Sequence, residues 1–352
     1  MIKNAASKPT PSNPPSKSST PSTPPKPAVI SRPPDTFRPA PARVSLPAIR
    51  FDTLNGGKTG GIWQNNKDAV RVAQDIHLEE AKALGPFDGR GTNIAVVDTA
   101  WGPKWTAELL QKITRNENLG ADPGHFDLQK SLAGDLAAPG ANVGGRALIN
   151  GTGDWMGWSI GNGPSMGERV KDALGKAITD VGPNGVISFT AVPGPLSQQD
   201  ALAMIQQMKD FTKGGGTVVM GAAVLSPENW KDPVVQQAVK DAKIIVVDSP
   251  LSGPQATYPK EVAKSGESIP AEASSAVTIS VPSPNGWNSV TVAQVAGVVA
   301  LMKQANPKLT GQDIQAILSD PTTFSQKVPT TDGSMVPLFD AKEAVQAAIN
   351  SR

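Results

Sequence analysis

Three kinds of side chain in this sequence, brought together, can carry acyl transfer: a serine at 289, histidines at 77 and 125, and an aspartate at 98. Serine is a weak nucleophile and needs a neighbouring base to take its proton. Imidazole titrates near neutrality, so it can accept that proton and return it. A carboxylate can orient the ring and stabilise the imidazolium. Ser289 stands near the start of GWNSVTVAQVAGVVALMKQANPKLTGQDIQAIL, residues 286–318. Val290, Val292, Val295, Ala296, Val298, Val299, Leu301 and Met302 make this helix apolar nearly all round, which predicts burial. A hydroxyl at the N-terminus of a buried helix lies where the dipole favours developing negative charge. Asp98 closes the apolar run IAVVD. At the carboxyl end of a strand an acid is placed for chemistry, and on position alone it serves equally well to cap the next turn. His77 falls within a helical pattern and reads as a surface residue. His125 follows Pro-Gly, where a loop residue without a role is the alternative.

The elements that must position these residues alternate along the chain. Short β-branched runs at 94–98, 145–149, 186–190, 217–222, 243–247 and 277–281 predict strands. Amphipathic or apolar patterns predict helices over 106–114, 126–133, 166–180, 198–212, 232–241, 289–304, 311–319 and 340–350. Continuous apolar strands separated by helices imply an α/β fold with a mostly parallel sheet covered on both faces. Asn306-Pro307 ends the serine helix. Thr310 and Asp313 supply most of a capping box for the next. Gly214-Gly215-Gly216 is followed by no Lys-Ser/Thr pair, so it reads as a helix-to-strand turn rather than a phosphate loop.

Residues 287–297 resemble the G-T-S-M-A-x-P-H-V-A-G nucleophile motif of the subtilisin-like (S8) serine peptidases, agreeing at the serine and at V-A-G. GRGTNIAVVDTA is similar to that family's G-x-V-A-V-I-D-T-G, with Ala100 in place of the last glycine, and the family's acid falls on Asp98. Gly124-His125, Ala133-Gly134 and Ala138-Pro139-Gly140-Ala141, followed by GRALI, match the histidine segment and put the base on His125. A rival alignment sets Asn150-Gly151-Thr152-Gly153 on that segment and removes the base, but it leaves no room for the strand before the helix at 166–180. The order Asp…His…Ser is the subtilisin order. Over about residues 72–325 the resemblance implies a subtilisin-like three-layer sandwich with a mostly parallel central sheet. It also implies a serine endopeptidase acting through an acyl-enzyme.

The family's oxyanion asparagine is matched by Val224, which leaves Asn288 and Asn229 as candidate donors. Loss of such a donor costs roughly 10²–10³ in turnover, a magnitude that comes from subtilisin itself. The substrate-pairing edge falls on Thr190, Ala191 and Val192, with Pro193 removing an N–H there. Trp155 and Trp158 fall near the groove, as packing or as specificity pockets. These departures support an alternative, a catalytically degenerate subtilisin fold that binds peptides or a partner protein.

Composition sets the outer limits. Residues 1–50 carry eight basic residues against one acidic, a net +7 that leaves the remainder at −5, so the body shows no nucleic-acid footprint. This stretch is rich in Pro, Ser and Lys and reads as a disordered tail, either a spacer or a docking segment for a Pro-reading partner. In a third reading the tail carries the biology and the domain is its scaffold. Residues 51–71 read as a linker and 72–352 as one peptidase domain. With no cysteine there are no disulfides or thiolate sites. No acidic cluster has calcium-loop spacing, so no metal and no cofactor are expected. The expected partner is a peptide or protein substrate. Without an apolar leader or membrane-spanning run, a cytoplasmic location is the default expectation, with non-classical export as the alternative.

Overall fold

The computed structural model describes residues 49–52, 67–100, 125–149, 166–191, 196–249, 271–281, 283, 288–330 and 333–352, all within the compact unit Ser45–Arg352. The expected helix at 106–114 and Val192, Trp155 and Trp158 lie outside these residues.

The sheet runs β1-β3-β2-β4-β5-β6-β7. Its strands are β1 (Ile49–Asp52), β2 (Asn93–Ala100), β3 (Asn142–Ile149), β4 (Val186–Phe189), β5 (Thr217–Gly221), β6 (Ile245–Asp248) and β7 (Ile279–Ser280). Every pairing from β3 to β7 is parallel; β1 alone pairs antiparallel, against β3. The sequence pattern places no strand at β1, because four residues after a Pro-rich stretch carry too little alternation to register.

Two apolar clusters cover the two faces. Helices α1 (Lys67–Asp75), α2 (Leu78–Ala83), α3 (His125–Ser131) and a π turn (Leu132–Ala137) contribute to one. The same face takes α8 (Asn288–Ala305), α9 (Gly311–Ser319) and α10 (Ala341–Asn350). The other is built from α4 (Met166–Val181), α5 (Gln198–Lys213), α6 (Pro227–Lys231) and α7 (Pro233–Asp241). Strands buried on both sides need side chains that are apolar in both directions, and β4, β5 and β6 are buried at every position. The three-layer α/β architecture with a mostly parallel sheet is therefore the one expected.

Local chemistry explains the element ends. The α9 capping box forms: Asp313 N–H donates to Thr310 Oγ1 at 3.2 Å, and Thr310 N–H donates to Asp313 Oδ2 at 2.9 Å. The expected helix around His77 breaks in two, because His77 adopts φ 54°, ψ 44° at the start of α2. Its Nδ1 lies 2.6 Å from Asp340 Oδ2, which ties this bend to the N-cap of α10. A hairpin of β8 (Lys327–Pro329) and β9 (Met335–Pro337) follows α9. Among the described residues, no helix is long and apolar enough to cross a membrane.

Candidate functional site

Asp98 lies near the carboxyl end of β2 and is fully buried. Along β2, Ile94 and Val96 join the α8-side cluster, while Ala95 and Val97 join the opposite one. Alternation then turns Asp98 to the α8 side. The parallel part of the sheet starts with β2, adds β3 on one flank and then returns to add β4 on the other. The carboxyl ends of β2 and β4 thus form the switch point where α/β sheets bind ligands.

Thr190 and Ala191 follow β4 at this point. Their backbone N–H groups both donate to Val97 O, at 2.9 and 3.1 Å, so those two donors are engaged within the sheet. Val96 pairs with Ser188, which brings Thr190 level with Asp98 one strand away. The Thr190 hydroxyl is buried and has no hydrogen-bond partner among the described residues.

Ser289 sits in the first turn of α8. In this helix every residue except Ser289 and Gln304 is buried. Gln304 is spent on structure, since its Oε1 accepts from the N–H groups of Asp88 and Gly89, at 2.8 and 2.7 Å. The helix runs against the direction of the strands. Asn288 bonds residues at the carboxyl end of β6, whereas Lys303, near the other end, reaches Gly215 before β5. Ser289 therefore lies at the same edge of the sheet as Asp98, on the same face.

His125 opens α3. A Cβ at Gly297 would collide with Ala137 and with the carbonyl of Ala133, and Gly89 packs on both Ala138 and Ala300. As numbers rise in α3 and its π turn, they rise alongside in α8, so the two segments run side by side in the same direction. Counting back eight residues from Ala133 and from Gly297 reaches His125 and Ser289. The N-termini of both helices consequently point to the edge that holds Asp98, and α3 also packs against β2.

The two asparagines expected to serve the oxyanion are engaged elsewhere. Asn288 Nδ2 donates to Val247 O at 2.8 Å and to Ser249 Oγ at 3.0 Å, which uses both amide hydrogens. Asn229 is buried in α6, with Nδ2 donating to Leu196 O at 3.1 Å and Oδ1 accepting from Ser226 Oγ at 3.2 Å. It anchors the segment that enters α5 and does not fold back toward β5. Val224 is buried in the 3₁₀ turn after β5. Sequence spacing carries no sign of these tertiary bonds. Among the described residues, no three His, Cys, Asp or Glu side chains converge as a metal site would require.

No protein-family model and no curated protein matches the sequence. Among solved structures, the chain is similar to a cold-adapted subtilisin-like serine proteinase, at 16% identity over 72% of this chain and 90% of that one, with a TM-score of 0.44. It is similar to the serine protease MycP1, described as an essential component of the type VII (ESX-1) secretion system, at 14% identity over 85% and 92% of the two chains, TM-score 0.47. It is also similar to the A-subunit of the AB5 toxin from E. coli, at 16% identity over 79% and 98%, TM-score 0.46.

Proposed function

We propose that this chain is a divergent serine endopeptidase of subtilisin type, with Ser289 as nucleophile, His125 as base and Asp98 as the acid that orients it. The observation that carries the reading is the convergence of three elements on one face of the sheet at the carboxyl ends of the strands: the end of β2, the start of α3 and the start of α8. In this reaction Ser289 Oγ attacks the peptide carbonyl as His125 takes its proton. The imidazolium, stabilised by Asp98, then gives the proton to the leaving amine. Water hydrolyses the ester by the same route. The N-terminal pole of α8 favours the negative charge that develops beside Ser289. The Thr190 hydroxyl, level with Asp98, borders the proposed substrate edge at Thr190, Ala191 and Val192, where a peptide would meet the carbonyl groups of Thr190 and Ala191, since their N–H groups are bonded to Val97 O.

A second reading, a peptide-binding pseudopeptidase, is favoured by one specific feature. Asn229 and Asn288, the two residues expected to supply a side-chain amide to the oxyanion, are bonded elsewhere, and Val224 carries none. Incubation of the full chain with an unfolded protein substrate separates the two. The enzyme reading expects fragments from the wild type and none from Ser289→Ala. Binding of peptide by both proteins with fragments from neither supports the pseudopeptidase.

A further inference from the structure

Ser289 is flanked by a closed ring of buried polar groups. Asn288 Nδ2 donates to Ser249 Oγ at 3.0 Å, Ser249 Oγ lies 2.5 Å from Thr291 Oγ1, and Thr291 Oγ1 donates to Asn288 O at 2.8 Å. Each hydroxyl has one proton. Because Thr291 spends its proton on the Asn288 carbonyl, Ser249 must donate to Thr291, and the ring closes with every proton assigned. Asn288, Ser249 and Thr291 are all buried. The second Asn288 amide hydrogen extends the ring to Val247 O at the end of β6.

Across from it, a Cβ at Gly221 would overlap Asn288 Oδ1. The φ of Gly221 is −70°, open to any residue, so glycine is required there for room rather than for backbone freedom. The end of β5 thus leaves a notch that the Asn288 amide fills, while the end of β6 supplies the partners.

We infer that the Asn288–Ser249–Thr291 ring, seated against Gly221, is a positioning device that fixes the first turn of α8 and so the aim of Ser289. Asn288 and Thr291 stand on both sides of the serine in sequence, and the ring holds both to the sheet. Its three members are buried, so its proposed action on the reaction runs through Ser289. A buried network with all members satisfied is rigid, and loss of one hydroxyl leaves the others unsatisfied. The inference rests on the serine-hydrolase reading for its catalytic consequence, but the fixing of the helix start can be read without it.

The test uses the full chain with Thr291→Val, Ser249→Ala and Thr291→Ser. A fluorophosphonate probe gives the first-order inactivation constant at Ser289 and the half-saturating probe concentration. Amide hydrogen exchange gives the local order of residues 288–292 and of 298–305. Thr291→Val and Ser249→Ala are expected to lower the inactivation constant roughly 10- to 100-fold, as a misaimed nucleophile would. The half-saturating concentration should not change. Exchange should quicken at 288–292 and not at 298–305, and Thr291→Ser should restore both readouts. Unchanged exchange at 288–292 in Thr291→Val overturns the inference whatever the labelling, and so does an unchanged inactivation constant in a reactive background. A wild type that fails to react refutes the hydrolase reading, and the exchange comparison then decides the ring by itself.

Discussion

Lys303 offers a quantitative test of how the central helix is buried. It lies in the last turn of α8, only 7% exposed, with Nζ 3.5 Å from Gly215 O. Burial disfavours the ammonium and lowers the pKa from 10.5 to about 8, against a smaller opposing pull from Asp313. In the unfolded chain the same amine keeps its ordinary value. Between pH 8 and 10.5 the unfolded state therefore binds more protons than the folded one, and stability from this group rises with pH across that window. Below pH 8 the penalty is fully present; the drop from 10.5 to about 8 corresponds to about 3 kcal/mol. Lys303→Met retains the apolar stem and removes the charge. It should stabilise the protein by about 1–3 kcal/mol at pH 7, as replacing buried charge by apolar groups commonly does. At pH 10.5 the gain should shrink toward zero. Urea unfolding followed by fluorescence of buried Trp230, run on both proteins at each pH, cancels the titration of all other groups. A variant that is no more stable at pH 7, or equally more stable at both pH values, would refute the reasoning.

Other perturbations follow from the same contacts. The Asp340 carboxylate raises the His77 pKa by hydrogen bonding, with Glu80 adding to the effect and Lys342 opposing it. The pair's stabilisation is thus complete below pH 6.5 and is lost as pH rises through the folded value, so His77→Ala should lower the melting temperature more at pH 5.5 than at pH 8. Thr310→Ala removes the α9 N-cap and should cost about 1 kcal/mol in denaturant unfolding, while Thr310→Ser should cost far less. Removal of residues 1–44 should leave the melting temperature unchanged. Removal of 1–52 takes away β1, bares the β3 edge and should lower that temperature or promote self-association in light scattering.

Local signals in the sequence carried as far as local physics reaches. The apolar run at 289–304 could only be a buried helix, and it appears as Asn288–Ala305. Thr310 and Asp313 announced the start at Gly311. The strand read at 145–149 begins earlier, at Asn142, because Gly144 and Gly145 dilute the pattern while their fit beside β2 is a tertiary matter. The break at His77 was hidden, since its left-handed backbone is held by Asp340, which is 263 residues away in sequence. The candidate site shows the same division. The place of Asp98 at the end of a strand and the setting of Ser289 at a helix start were legible from strand and helix patterns. The commitments of Asn288 and Asn229 were not, because their partners at Val247, Ser249 and Leu196 come from distant segments.

The central claim is that Ser289 is an activated nucleophile supported by His125 and Asp98. Its most direct test is to treat the folded full chain with a fluorophosphonate and locate the adduct by peptide mapping. The prediction is one adduct on Ser289, absent in Ser289→Ala and formed far more slowly in His125→Ala and Asp98→Asn. No adduct on well-folded protein, or an adduct that forms as fast without His125, would contradict it.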